Sequence, residues 1–149
     1  PFQREALRAW VDSAYRGVVV MPTGAGKTAL AAMAIGKCGM PTLVHVPTID
    51  LMHQWYEVLA KWFNCEIGLL GGGYNDPLPV TVATYDSALI HVSHRGNRYG
   101  LAVFDECHHL PGDQYKYAAI TFRTFATLQP FEHECSKVLY FTIPSGIPI

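Results

Sequence analysis

Two short stretches hold the residue types that could do chemistry. The first, Val18 to Leu30, reads VVVMPTGAGKTAL: four apolar residues, a turn of small residues, then a lysine and a threonine that open a helix. A phosphate seated at a helix N-terminus meets unpaired backbone N–H groups and the positive end of the helix dipole. Gly24 and Gly26, with Thr23 and Ala25 between and before them, would let the backbone curl until those groups converge on one anion. Lys27 would then add a full positive charge near the β- and γ-phosphates of ATP, and the Thr28 hydroxyl is placed to ligate Mg²⁺. The strict pattern asks for glycine where Met21 stands, a departure from its letter that leaves its physics intact. A tight turn that merely packs a strand against a helix is the plain alternative. The placement of GKT at a strand-to-helix junction argues against it.

The second stretch is Asp105-Glu106-Cys107-His108, which follows the apolar run Leu101 to Phe104. In an open parallel sheet, ligands bind at the carboxyl ends of the strands, where this acidic pair would sit. Asp105 would hold Mg²⁺, usually through water, and Glu106 would polarise the attacking water. Alone, an Asp-Glu pair would read as a solvated turn; the phosphate loop upstream turns it into the second half of a site.

Other reactive residues form no such pattern. Cys38, Cys65, Cys107 and Cys135 stand far apart with no CxxC pair, which excludes a zinc ribbon or a dithiol redox site. His45, His53 and His109 lack the spacing of a metal set and read as core or surface histidines. Trp10, Trp55 and Trp62 lie on helical apolar stripes, where core packing outweighs base stacking.

The elements that must position these residues follow from hydrophobic period. Phe2 to Tyr15 repeats apolar residues at three- and four-residue steps, the mark of an amphipathic helix that Gly17 stops. Strand-like Val18 to Met21 precedes the loop, and Thr28 to Ile35 is the helix after it. Thr42 to Val46 reads as a strand, Thr48 as a cap, and Leu51 to Trp62 as a helix. Glu66 to Leu70, Val80 to Thr84, Leu101 to Phe104 and Lys137 to Thr142 are further strands, with Ser87 opening one helix and Gln114 to Leu128 forming another. Gly71 to Pro79 and Ser93 to Gly100 read as mobile surface. Strands that are apolar throughout, alternating with helices, specify a doubly wound α/β fold: a mainly parallel sheet covered on both faces.

Composition bounds the class. The 149 residues suit one domain with a sizeable core, half of them are apolar, and only 15% are charged, so the chain should fold. The formal net charge is -1, so a nucleic-acid partner must be argued from local features rather than from overall charge. No apolar run reaches the roughly 20 residues of a spanning helix, so no membrane is expected. Scattered thiols without a signal peptide suit a reducing, cytoplasmic setting. A start at Pro1 is expected for a chain processed or cut from something longer.

Four motifs in fixed order now carry a family resemblance. MPTGAGKT, VPTIDLMHQW, VTVATYDSA and FDECHHLPG resemble motifs I, Ia, Ib/Ic and II of superfamily 2 helicases of the DExH branch. The wording LPG after DECHH, and TYDSA before it, is most similar to archaeal XPB-like helicases and to helicase subunits of type I and type III restriction enzymes. The resemblance covers Phe2 to about Gly112, with the motifs themselves within 18–112. It implies a single RecA-like P-loop domain, phosphates and Mg²⁺ on Gly24, Gly26, Lys27 and Thr28, metal and hydrolytic acids at Asp105 and Glu106, and a coupling role for His108. Gln3, in PFQREAL, resembles the glutamine that reads the adenine edge. A nucleic acid, DNA ahead of RNA, would be held at its backbone phosphates by amides and hydroxyls of Pro47, Thr48, Thr84 and Ser87. Thr48 and Ser87 also suit helix caps, and the two roles are compatible.

The end of the chain departs from the family. After the strand KVLYFT comes Thr142-Ile143-Pro144 where the family has Ser/Thr-Ala-Thr, so residues 113–149 are expected to diverge, with the second RecA-like domain expected in the full-length protein and not in this stretch. The family draws its arginine finger from that domain, and such an arginine is worth on the order of 10³ to 10⁵ in rate, so the isolated chain should hydrolyse ATP slowly. Two rivals stand beside a helicase motor half. One is a small-molecule or nucleotide kinase, for which the segment after Asp105 offers a single lid arginine, Arg123. The other is a truncated or degenerate domain that binds nucleotide without unwinding.

Overall fold

The structure, a computed structural model, describes residues 2–22, 24–95, 98–107 and 137–142. Chain order is α1 (Phe2–Asp12), β1 (Arg16–Val20), α2 (Lys27–Cys38), β2 (Thr42–Val46), α3 (Ile49–Phe63), β3 (Gly68–Gly71), β4 (Tyr74–Asp76), β5 (Val80–Thr84), α4 (Tyr85–Arg95), β6 (Leu101–Phe104) and β7 (Lys137–Thr142). The strands form one sheet in the order β1-β7-β6-β2-β5-β3-β4. Every pairing is parallel except that of β3 with β4. The expected doubly wound α/β architecture is therefore the one observed.

Alternation along the strands divides the core. Val44, Val46, Val82, Val103 and Phe141 face α1, α2 and α3, while Leu43, Ala83, Ala102 and Phe104 face α4 and Tyr99. β2 and β6 are buried on both faces, as near-continuous apolar strands should be. The edge strand β1 is not: its exposure alternates, and Val18 and Val20 stand open among the described residues.

Several boundaries differ from the sequence reading for physical reasons. Helix α1 ends at Asp12 rather than at Tyr15, because Ala14 and Tyr15 both take left-handed backbone (φ 57° and 61°) and turn the chain into β1. Gly17 is not the stop; it lies inside β1, where Trp10 packs against its bare Cα. The expected loop from Gly71 is a hairpin. Gly71 pairs with Tyr74 across Gly72 and Gly73, whose φ values of 57° and 91° suit a two-residue turn that only glycine enters cheaply. The third strand begins at Gly68, not Glu66, and Ser93 to Arg95 end α4 instead of belonging to a loop. The expected helix over Gln114 to Leu128 lies outside the described residues.

Caps fix the helices that bear on the site. Thr48 Oγ1 accepts from Leu51 N at 3.2 Å and starts α3, and Asn64 ends it in left-handed conformation. Helix α2 starts after Gly26 with no side-chain cap, and Gly39 closes it by donating to the Ile35 carbonyl.

Candidate functional site

A parallel sheet sends every βα loop to one edge, so the segments after β1, β2, β5 and β6 meet there. After β1 the chain passes Met21, whose side chain is fully buried in the core and so occupies the position where the strict loop pattern has glycine. Gly24 (φ 80°) and Gly26 (φ 88°) then supply the two left-handed residues that curl the loop. A Cβ at Gly24 would meet nothing within 4 Å; one at Gly26 would come within 2.7 Å of Gln3 Nε2. Gln3 is thus packed on the loop, and its amide donates to the Ala25 carbonyl at 3.1 Å.

The two acidic residues after β6 come to this loop. Lys27 Nζ lies 2.6 Å from Glu106 Oε1, with the side chains only 10% and 20% exposed. Asp105 is 4% exposed and continues the sheet, its N–H donating to the His45 carbonyl at 2.9 Å. Its carboxylate accepts from Trp55 Nε1 (2.8 Å, Oδ2) and from the Glu106 N–H (2.9 Å, Oδ1). Burial raises the Asp105 pKa above its ordinary value; the Trp55 hydrogen bond and the Lys27 charge oppose that rise. Glu106 itself sits at φ 50°, a sparsely populated conformation for a non-glycine residue and one that turns its side chain back onto Lys27.

The donor set suits a nucleotide phosphate with a divalent cation. The start of α2 has N–H groups without a side-chain cap, a cation at its first residue, two left-handed glycines in the loop before it, and a carboxylate pair opposite. Thr28 follows Lys27 in the first turn of α2, half-buried. Thr23 and His108 lie outside the described residues.

The residues expected to meet a nucleic-acid backbone lie along the same edge. Pro47 and Thr48 follow β2, and Thr84 and Ser87 bracket the start of α4, their hydroxyls 3.0 Å apart. Gly71 closes on them: a Cβ there would come within 2.6 Å of Thr84 Oγ1 and 3.1 Å of Ser87 Oγ. An open groove of about 590 Å³ adjoins them, lined by the Gly71 to Gly73 turn, Tyr74, Ser87, Ile90 and His91.

Two residues at the centre were not singled out by sequence as part of the site. Trp55 is buried, as its apolar stripe implies, but its N–H also reaches Asp105; a buried indole needs a partner for that N–H, which is the signal that could have revealed it. Tyr85 donates its hydroxyl to the Asp105 carbonyl at 2.5 Å. Its ring extends a stack with His45 and Phe104, the latter two 4.2 Å between centroids and nearly parallel. His45 is a core histidine, lowered to about 4 by burial against the opposing hydrogen bonds at the Val103 and Leu43 backbone. Trp62 is a correction: it is 51% exposed, because Phe63, four residues after the buried Leu59, takes the inward place at the end of α3.

Comparison with known proteins bears on the family and the fold. The profile of the family described as type III restriction enzyme, res subunit, matches residues 1–142. The DNA 3'-5' translocase XPB2 of Sulfurisphaera tokodaii is 43% identical over 121 residues, covering 81% of this chain and 27% of the relative. The DNA 3'-5' helicase XPB of Mycobacterium tuberculosis is 35% identical over 130 residues, covering 78% and 24%. The chain thus spans about a quarter of the length of these relatives. Among solved structures, the UvsW helicase from bacteriophage T4 superposes with a TM-score of 0.77 over 95% of this chain and 51% of that one, at 19% identity, a likeness of fold.

Proposed function

Because this chain belongs to the type III restriction enzyme res subunit family, whose domain forms the N-terminal part of superfamily 2 helicases, we propose that it is the ATP-binding half of a DNA helicase or translocase. One observation supports this most strongly: Lys27 and Glu106, 79 positions apart in sequence, are in contact beside the buried Asp105.

In the proposed cycle the ATP phosphates take the N-terminus of α2, and Lys27 moves from Glu106 to the β- and γ-phosphates. Glu106, parted from Lys27, then orients and polarises the attacking water, accepting its proton. Thr28 and Asp105 would hold Mg²⁺, which when bound neutralises charge on the phosphate oxygens. The contact between Gln3 and the Ala25 carbonyl favours Gln3 as the adenine-reading residue, since it ties that side chain to the phosphate loop.

Pro47, Thr48, Thr84 and Ser87 would contact strand phosphates without reading bases. The printed names of the relatives put DNA ahead of RNA as that strand. Full motor activity would need a second RecA-like domain to supply an arginine and the other half of the groove, with His108 linking nucleotide state to it. The free thiols of Cys65 and Cys107 suit work in a reducing cell interior.

The test is ATPase activity with and without single-stranded DNA. Stimulation by the strand is the expected result. Turnover indifferent to any nucleic acid would point to a kinase, and absence of turnover with nucleotide still bound would point to a degenerate binder.

A further inference from the structure

Asp105 is held from two sides by the very elements that carry the candidate strand contacts. Helix α3 begins at the Thr48 cap, and about two turns on, Trp55 donates to Asp105 Oδ2. Helix α4 begins directly after Thr84, and its first residue, Tyr85, donates to the Asp105 carbonyl. With Oδ1 engaged by the Glu106 N–H, rotation of the carboxylate in either direction breaks a hydrogen bond. Indole N–H is a donor only, so Trp55 can orient the carboxylate but cannot compete with it for a cation. The Tyr85 hydroxyl acts one step back, on the peptide that joins Asp105 to the left-handed Glu106.

We propose that Trp55 and Tyr85 are positioning residues: they set the Asp105 carboxylate for a divalent cation and link it to strand contacts at Thr48 and at Thr84–Ser87. The link to the strand rests on the nucleic-acid reading above; the setting of the carboxylate does not. Thr48 and Trp55 share one helix, so a displacement of the α3 N-terminus is transmitted along a rigid element to Asp105. Ser87 and Tyr85 share the first turn of α4 in the same way. By linkage, a strand that alters cation-dependent nucleotide affinity must have its own affinity altered equally by nucleotide.

The experiment titrates a fluorescent ATP analogue into the purified protein in EDTA and in Mg²⁺, with and without single-stranded DNA, for wild type, Trp55→Phe, Tyr85→Phe and the double variant. Affinity in EDTA should stay within about twofold of wild type, because the hydrogen bonds removed are those to Asp105, which acts through the cation. The gain in affinity on adding Mg²⁺ should fall about tenfold in Trp55→Phe, which loses a hydrogen bond to a charged group, and less in Tyr85→Phe. The strand effect on nucleotide affinity should vanish in the double variant. An unchanged Mg²⁺ gain in Trp55→Phe overturns the proposal, as does an equal loss in EDTA and Mg²⁺, the sign of a merely structural role. If Trp55→Phe does not fold, Tyr85→Phe, which removes one oxygen from a half-buried ring, carries the same Mg²⁺ criterion. Should wild type show no strand effect at all, the nucleic-acid reading fails, and the Mg²⁺ arm alone decides the positioning claim.

Discussion

Replacing Glu106 with glutamine should make the protein less stable and bind ATP more tightly. The Lys27–Glu106 contact at 2.6 Å corresponds to about 6 kcal/mol of attraction at an effective dielectric constant near 20. Desolvation of two side chains that are 10% and 20% exposed offsets much of this, while removing one partner leaves the other buried and unpaired. The net loss of stability should be about 3 kcal/mol, read from urea denaturation. ATP binding, by contrast, must break the pair in wild type and has no pair to break in Glu106→Gln. Releasing only half of the loss, about 1.5 kcal/mol, tightens Kd about tenfold in an equilibrium titration. A stability cycle with Lys27→Met isolates the pair and should give a coupling of about 2 to 3 kcal/mol. Coupling below about 0.5 kcal/mol, together with an unchanged ATP affinity, would refute the reasoning.

Three further outcomes follow from the packing. Gly68→Ala places a Cβ against the Leu78 backbone N and 2.7 Å from the Asp76 carbonyl oxygen, atoms that cannot swing aside; it should cost at least about 2 kcal/mol in urea denaturation. His45, lowered from 6.5 to about 4, is neutral in the fold and protonates more readily unfolded, so its contribution is complete above pH 6.5 and about 3 kcal/mol of it is lost as pH falls toward 4. Asp105, raised by burial, tilts stability the opposite way, so the difference between wild type and His45→Gln across pH 4 to 7 is the quantity to measure, and a flat difference counts against the assignment. Trp62→Gln should leave thermal stability within about 0.5 kcal/mol, whereas Trp55→Ala should cost about 3 to 5 kcal/mol.

Much of this fold is legible because strands buried on both faces are simply apolar: Thr42–Val46, Val80–Thr84 and Leu101–Phe104 are found where the period places them, and Lys137–Thr142 is a strand as its apolar run implies. The loop and the acidic pair are legible because small residues, lysine and carboxylates in that order have few other uses. What local pattern does not carry is long-range company. Nothing near Trp55 in sequence announces Asp105, 50 positions away, and nothing near Lys27 shows that Glu106 is its partner in this state. The hairpin across Gly72 and Gly73 escapes because β4 is three residues long and exposed, leaving no hydrophobic period to read. Trp62 is misplaced because spacing alone does not choose between neighbouring aromatics at the end of α3, and it is Phe63 that packs on the core while Trp62 is exposed.

The most direct measurement is equilibrium binding of a fluorescent adenine nucleotide, with and without Mg²⁺, to wild type and to Lys27→Ala. The site described here predicts binding that Mg²⁺ strengthens in wild type and that Lys27→Ala abolishes. Equal affinity in the two proteins, or affinity indifferent to Mg²⁺ in wild type, would contradict the assignment of the α2 N-terminus, Asp105 and Glu106 as one nucleotide site.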